Sequence, residues 1–289
     1  ARDALEAGKH VMLEKAMTFT PEQALQLVDI AGRHKKQTLQ VGHQYRYSPV
    51  YYKVKQMIQN GYLGKVTQID ARWDRNSDWR RPVPDPGLER KINWRMYREY
   101  SGGLPAELLS HQMDFIHWAF DCRPTTIYGT GGIDRYKDGR ETYDNVQVNI
   151  RYEKEGMIGN FGVTCSNQHD GYSFRIKGSK GTVSLLIRNG LFYPEPETRK
   201  ELEEVDGVSG ATKLTWSKDK KGIKLSNEKL KDGSYYAFRD FYSAISENTL
   251  PDSNVYTGGT TAICAALANT SLYTGTVQSW NPEYNLHPL

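Results

Sequence analysis

Glu107, His111 and Asp114 have the residue types and spacing for proton chemistry. Glu107 and His111 are four residues apart, so on an α-helix they share a face, and Asp114 continues it. A carboxylate beside an imidazole fixes its tautomer and raises its pKa, which suits histidine to general acid–base work. Two other readings stay open. The three residues form the polar stripe of a helix whose other face carries Leu108, Met113, Phe115, Ile116 and Trp118, or they are ligands in a Glu-x3-His-x2-Asp metal set. No other His/Cys cluster completes a ligand shell, so no metal is expected. Lys15 is the other candidate. It ends the apolar run Val11-Met12-Leu13-Glu14-Lys15, at the carboxyl end of an expected parallel strand, where open α/β sheets bind ligands. The alternative is a surface lysine that merely follows a strand.

These residues must be held by the elements around them. Ala4 to Ala7 reads as a helix end with Gly8 as its cap. Thr20, Pro21 and Gln23 form a capping box with proline at the first helical position, opening a helix that carries Leu25, Leu27, Val28 and Ile30. Gln37 to Gly42 reads as a second strand, which gives a right-handed βαβ unit. An amphipathic helix is expected over Pro49–Asn60. After Gly64 the pattern changes to the alternation of half-exposed strands, beginning with Lys65 to Asp74. A loop rich in proline and arginine runs from Ser77 to Glu89, and a helix from Leu104 to Phe120. Strands then fill the stretch from Thr125 to about Leu225, and helices over Tyr235–Glu247 and Gly259–Tyr273 close the chain. The fold class expected is α/β plus α+β. Residues 1–64 form the C-terminal part of a doubly wound sheet, and residues 65–289 a large, mostly antiparallel sheet covered by helices on one face.

Composition narrows the function. An apolar fraction of 38% and a charged fraction of 25% fit a folded protein of 289 residues. A net charge of +4 gives no support for nucleic acid as a partner, even though Trp73 to Arg81 interleaves basic and aromatic residues. That stretch reads better as a loop over a site or a subunit contact. No apolar run approaches the roughly 18 residues needed to cross a bilayer. Cys122, Cys165 and Cys264 are scattered and imply neither disulfide framework nor zinc site. Nineteen Tyr and six Trp offer flat apolar faces with polar tips, suited to carbohydrate-like ligands and equally to packing. The start Ala1-Arg2-Asp3-Ala4-Leu5 reads as internal, which leaves the compartment open between cytoplasm and periplasm.

Several segments, in order, resemble the glucose–fructose oxidoreductase/inositol dehydrogenase (Gfo/Idh/MocA) family. Ala7 to Lys15 is similar to its AGKHVxxEKP segment, and Val41 to Pro49 to its VGFNxRFxP. Gly61 to Val66 resembles GxLGxV; Asn93-Trp94-Arg95 with Ser101-Gly102-Gly103 resembles WR…GGG; Glu107 to Asp114 resembles D-x3-H-x2-D; and Phe174 to Thr182 resembles its strand–glycine turn. Three departures stand out. The chain has no GxGxxG, the pyrophosphate-binding fingerprint that the family carries on a strand expected upstream of Ala1; Ala16 replaces the proline of EKP; and Glu107 replaces aspartate.

The resemblance implies a nicotinamide-dependent oxidoreductase, with NAD or NADP as cofactor and a secondary alcohol of a sugar, polyol or glycoside as substrate. Lys15, His111 and Glu107 would be catalytic. Glu14, Lys15, Arg46, Trp94 and Arg95 would lie at the cofactor, although Arg95 equally suits a structural salt bridge. Arg72, Asp74 and His169, with Asn167, would join Lys15, Glu107 and His111 at the substrate. A homodimer or homotetramer through the sheet domain is expected. Two alternatives accompany this expectation: a glycoside hydrolase or epimerase that recycles NAD through transient oxidation, and a non-catalytic sugar-binding fragment.

Overall fold

The computed structural model describes residues 1–209 and 221–286. Residues 210–220, within the stretch expected to hold strands, lie outside the described residues. The first unit is the expected strand–helix–strand. Helix α1 (Arg2–Glu6) leads through Gly8, whose φ of 71° only glycine adopts without strain, to strand β1 (Val11–Leu13). Helix α2 (Pro21–Arg33) starts at Thr20 with both halves of the capping box formed. Strand β2 (Leu39–Val41) lies parallel to β1. A 3-10 turn over Gln44–Tyr47 follows, then helix α3 (Pro49–Gln59).

Strand β3 (Val66–Trp73) opens the large sheet. The proline/arginine loop crosses to a short helix α4 (Glu89–Ile92) and a 3-10 turn at Trp94–Met96. The helix expected over 104–120 divides in two: a π-helical turn at Pro105–Leu109, then α5 (Ser110–Phe120), stopped by Asp121 in the left-handed region. Strands β4 (Thr126–Gly132), β5 (Asn145–Tyr152), β6 (Met157–Thr164), β7 (Tyr172–Gly178), β8 (Gly181–Leu185) and β9 (Gly190–Pro194) follow. Helix α6 (Pro196–Ser209) interrupts the stretch read as strands. Then come β10 (Ile223–Lys224), α7 (Gly233–Glu247), α8 (Val255–Thr274) and β11 (Gln278–Ser279). Helix α8 starts earlier than expected because Asn254 caps it, its side chain accepting from the Tyr256 and Thr257 amides.

The nine strands are ordered β10-β9-β8-β7-β3-β6-β5-β4-β11. Among the described residues of this sheet only β3 and β6 pair in parallel, so it is mostly antiparallel as expected. Its strands alternate: along β5, Val146, Val148, Ile150 and Tyr152 are buried while Gln147 and Asn149 face out. On the covered face, Ile69, Phe115, Phe174 and Ile176 are fully buried, each such side chain contributing about 1.5–3 kcal/mol. Helices α7 and α8 return to the first unit. The Gln40 amide donates to Ala237 O, the Val41 amide donates to Ser253 O, and α8 packs along α2. The end of β2 is thereby fixed against α7 and α8. Cys122, Cys165 and Cys264 are buried and free, in line with the absence of a disulfide framework.

Candidate active site

The carboxyl ends of β1 and β2 place Lys15 and His43 side by side. Gly42 eases this approach: a Cβ there would press on Leu13 O at 3.3 Å and touch the Lys15 amide nitrogen at 3.5 Å. The Gly42 amide donates to Leu13 O, so the two strand ends stay in contact. The Lys15–Ala16 peptide, where the family pattern has proline, is cis. Lys15 then reaches across to the π-helical turn, its Nζ donating to Ala106 O at 3.2 Å and Glu107 O at 2.7 Å. An ammonium has three donors, so one remains for a ligand. Burial pushes the Lys15 pKa down; Glu107 and Glu14 oppose this, and Arg95 adds to it.

Lys15 lines a cavity of about 530 Å³. Its walls come from the Ala16–Pro21 loop at the start of α2, from Trp94, Arg98 and Tyr100, and from Ala262, Ala265, Asn269 and Tyr273 on α8. Glu107 lines it too. The expected Glu107–His111 partnership is not what the structure forms. The π-turn is wider than an α-turn, which breaks the i,i+4 register between 107 and 111. Glu107 pairs instead with Arg95, Oε2 to Nε 2.9 Å, and the Arg95 guanidinium stacks 4.2 Å from the Trp94 ring centroid. Arg95 is thus the structural salt bridge that was the other reading of that residue.

His111 is buried in an aromatic cluster. Tyr45 stacks on it with ring centroids 4.4 Å apart; Trp73 lies at 5.7 Å and His43 at 5.8 Å, edge to face. Tyr172 closes the cluster against Trp73 and shares a hydrogen bond with Tyr51. The expected rise in the His111 pKa is reversed: burial lowers it well below the usual imidazole range, and Lys15 and His43 lower it further. Its Nδ1 is buried with no hydrogen-bond partner. His111 is therefore held neutral, its protonated form disfavoured by the same burial.

Asp114 is also fully buried, and its partner is Arg46. The Arg46 Nε donates to Asp114 Oδ2 at 2.8 Å, Nη2 donates to Oδ1, and Nη1 donates to Asp252 O. Arg46 was expected at the cofactor; with these donors used and its side chain buried, it ties the 3-10 turn to α5 and to the segment before α8. Arg72 is likewise displaced. It points to the open face of the sheet, where it donates to Gln147, because the strand period puts it opposite Ile69, Ala71 and Trp73. Asp74 accepts from the Thr164 amide where β3 and β6 end, and burial raises its pKa. His169 and Asn167 lie exposed on the turn between β6 and β7, the Asn167 side chain accepting from the His169 amide. Glu14 is exposed beside Gly42, with its carboxylate close to Lys15. The structure thus gathers Lys15, Glu107 and Trp94 at the cavity, holds Arg95 against Glu107, and places Arg46, Arg72 and His169 elsewhere.

Sequence reasoning passed over Tyr45, His43 and Tyr172 as site residues, and took Trp73 only into a stretch read as a loop over a site or a subunit contact. Trp73 could have been found, since the alternation along β3 puts it on the covered face with Ala71. His43 stands where the family pattern has phenylalanine, a substitution of aromatic for aromatic that hides two nitrogens. No group of three or more His, Cys, Asp or Glu among the described residues could hold a metal ion.

Comparison with known proteins agrees with this layout. Residues 1–43 match the model of the oxidoreductase family with an NAD-binding Rossmann fold, and residues 51–184 match the GFO/IDH/MocA C-terminal domain. An uncharacterized oxidoreductase of Schizosaccharomyces pombe is 31% identical over 207 residues, covering 70% of this chain and 52% of the relative. The D-xylose 1-dehydrogenase (NADP(+)) of Hypocrea jecorina is 26% identical over 219 residues, covering 70% of this chain and 54% of the relative. The chain thus spans about half the length of these curated relatives. A levoglucosan dehydrogenase solved with NADH superposes with a TM-score of 0.73 at 16% identity, covering 96% of this chain and 75% of that one, a likeness of fold. The two family matches follow each other along the chain in the order of the two structural units, and the chain belongs to the GFO/IDH/MocA oxidoreductase family.

Proposed function

We propose that the protein transfers a hydride between a nicotinamide cofactor, NAD or NADP, and a secondary alcohol of a sugar, polyol or glycoside. The observation that carries this reading is Lys15: a desolvated amine at a strand's carboxyl end, held by two backbone carbonyls and lining a cavity of about 530 Å³. The residues present fit the nicotinamide end of such a cofactor. Trp94 offers a flat face, Lys15 a free donor and the α2 start a wall, while the sequence holds no GxGxxG for the pyrophosphate.

When bound, the nicotinamide supplies the carbon that accepts the hydride. The chain's own residues handle the proton. A neutral Lys15 amine takes the hydroxyl proton as the carbinol C–H bond breaks, and the ammonium then hydrogen-bonds the new carbonyl oxygen. Glu107 balances the charge that forms on Lys15, and Arg95 and Trp94 hold Glu107 in place. His111, kept neutral in its aromatic cluster, adds no positive charge beside Lys15. The sheet's open face would join a second copy in a homo-oligomer.

Product analysis on the full-length protein tests the reaction class. Incubation with NAD or NADP and a panel of sugars, polyols and glycosides should give net reduced cofactor and a keto product in equal amounts. Free sugar without net reduced cofactor would replace the dehydrogenase with a cofactor-recycling hydrolase or epimerase. Ligand binding with no turnover of any kind would leave a sugar-binding protein.

A further inference from the structure

We infer that Arg98 anchors a carboxylate on the substrate, so that the alcohol oxidised belongs to a sugar acid, aldonic or uronic, rather than to a neutral sugar. The inference deepens the proposed function and rests on it for the reaction; the anion site itself stands on the cavity.

The charges at the cavity do not pair off. Among its lining residues Lys15 and Arg98 are basic and Glu107 is the only acid. Glu107 already has a partner outside the lining, the Arg95 guanidinium at 2.9 Å. The carboxylates close to Arg98 in sequence or space are occupied as well. Glu141 Oε1 accepts from Arg90 Nη1 at 3.1 Å, and its Oε2 accepts from the Arg98 amide at 3.0 Å. Glu99 accepts from Arg90 Nη2 at 3.2 Å. What the Arg98 guanidinium does touch is Tyr273, with Cζ 3.7 Å from the ring centroid. Among the described residues no carboxylate or carbonyl accepts from it. Arg46, Arg80 and Arg140, which fasten the fold, each donate to carboxylates.

Arg98 is nevertheless held in place. The Met96 carbonyl accepts from the Glu141 and Thr142 amides at 2.8 and 3.2 Å, which pins this segment to the loop between β4 and β5. Tyr273 on α8 is fixed in turn. Its hydroxyl donates to Glu141 O at 3.4 Å and accepts from the Tyr143 amide at 3.3 Å, and its ring centroid lies 4.4 Å from that of Tyr143. A guanidinium with one face on a fixed ring keeps its N–H edge for a ligand, and two parallel donors on that edge match a carboxylate. The single charge of a carboxylate suits one guanidinium, whereas a phosphate monoester would bring about two. Lys15 and Arg98 reach the same cavity from different elements, Lys15 after β1 and Arg98 after the 3-10 turn at Trp94–Met96. A carboxylate held at Arg98 thus orients the carbinol for Lys15 without using the groups that handle the proton.

Calorimetry on the full-length protein with reduced cofactor, NADH or NADPH, reads binding without turnover. The ligands are pairs that differ in charge: D-glucose with D-glucuronate, D-galactose with D-galacturonate, D-glucitol with D-gluconate. In at least one pair the acid should bind about tenfold tighter, or more, than its neutral partner. Arg98→Gln should abolish that preference, and Arg98→Lys, which keeps the charge but not the fork, should restore part of it. Acids bound no more tightly than their neutral partners, or a preference that survives Arg98→Gln, would overturn the inference. So would weaker NADH or NADPH binding in Arg98→Gln with the sugar preference intact, which would assign the guanidinium to a cofactor phosphate. If Arg98→Gln does not fold, the wild-type pairs and Arg98→Lys still decide it. Acid binding without any cofactor reduction would remove the dehydrogenase and leave the anion site standing; reduction by neutral alcohols alone would do the reverse.

Discussion

Lys15 lines an open cavity whose polar groups include Glu107, Arg98 and Asn269, whereas His43 and His111, which its charge also reaches, are buried among Tyr45, Trp73 and Tyr172. At the cavity, charges are partly solvated: Glu107, which lines it, and its partner Arg95 keep 16% and 36% of their side-chain surface. In the buried cluster, Arg46 and Asp114 keep at most 1%, and the histidines are held neutral by desolvation. The contrast separates two jobs. The wet side can exchange ligands and protons; the dry side sets where groups stand and which protonation state they hold. Lys15 joins them, and its lowered pKa is the point at which burial meets the opposing pull of Glu107.

Breaking the dry side should cost the most. Asp114→Asn leaves the buried Arg46 guanidinium without its carboxylate and should destabilise the protein by about 3–5 kcal/mol, measured by urea denaturation. A loss under about 1 kcal/mol would mean that the pair is not the anchor described here. Acid should act on the same region next. His43, His111 and His117 have folded pKa values below the unfolded value of about 6.5, near 3 for His117. The unfolded chain therefore takes up protons first as pH falls. The stability these neutral rings contribute is present above about pH 6.5 and is lost below it, by about 1 kcal/mol per histidine on reaching pH 5.5. A denaturation midpoint that stays level or rises over that interval would contradict their being buried neutral.

The wet side should respond more gently, and in its pH profile. Glu107 raises the Lys15 pKa, so Glu107→Gln should lower it further. If the neutral amine accepts the proton, activity climbs as pH rises through that pKa, and the climb should move to lower pH. A shift to higher pH, or none, would detach Glu107 from Lys15. The smallest effect belongs to Arg72→Ala. Its side chain lies on the open face of the sheet, so turnover should change by less than about threefold and stability by about 0.5 kcal/mol at most. A large rise in KM would return Arg72 to the substrate.

The same contrast explains what could be seen in the sequence. Local signals were legible: the Thr20 capping box, the alternation of β5, and Lys15 at a strand end all follow from neighbours within a few residues. The Arg46–Asp114 pair joins positions 68 apart, and the Lys15 contacts span 91 and 92. No spacing rule encodes those. The i,i+4 argument for Glu107 and His111 failed because one π-turn changed the helical period, and the types of the residues around it gave no sign of that. Arg72 was misplaced for a simpler reason, since the strand's own alternation already set it opposite Trp73.

Lys15→Ala, compared with wild type in the full-length protein for reduction of NAD or NADP by a substrate alcohol, asks most directly whether the wet and dry sides work through one residue. Turnover should fall at least about a hundredfold while the denaturation midpoint stays close to wild type. Turnover within a few-fold of wild type would show that proton transfer does not pass through Lys15.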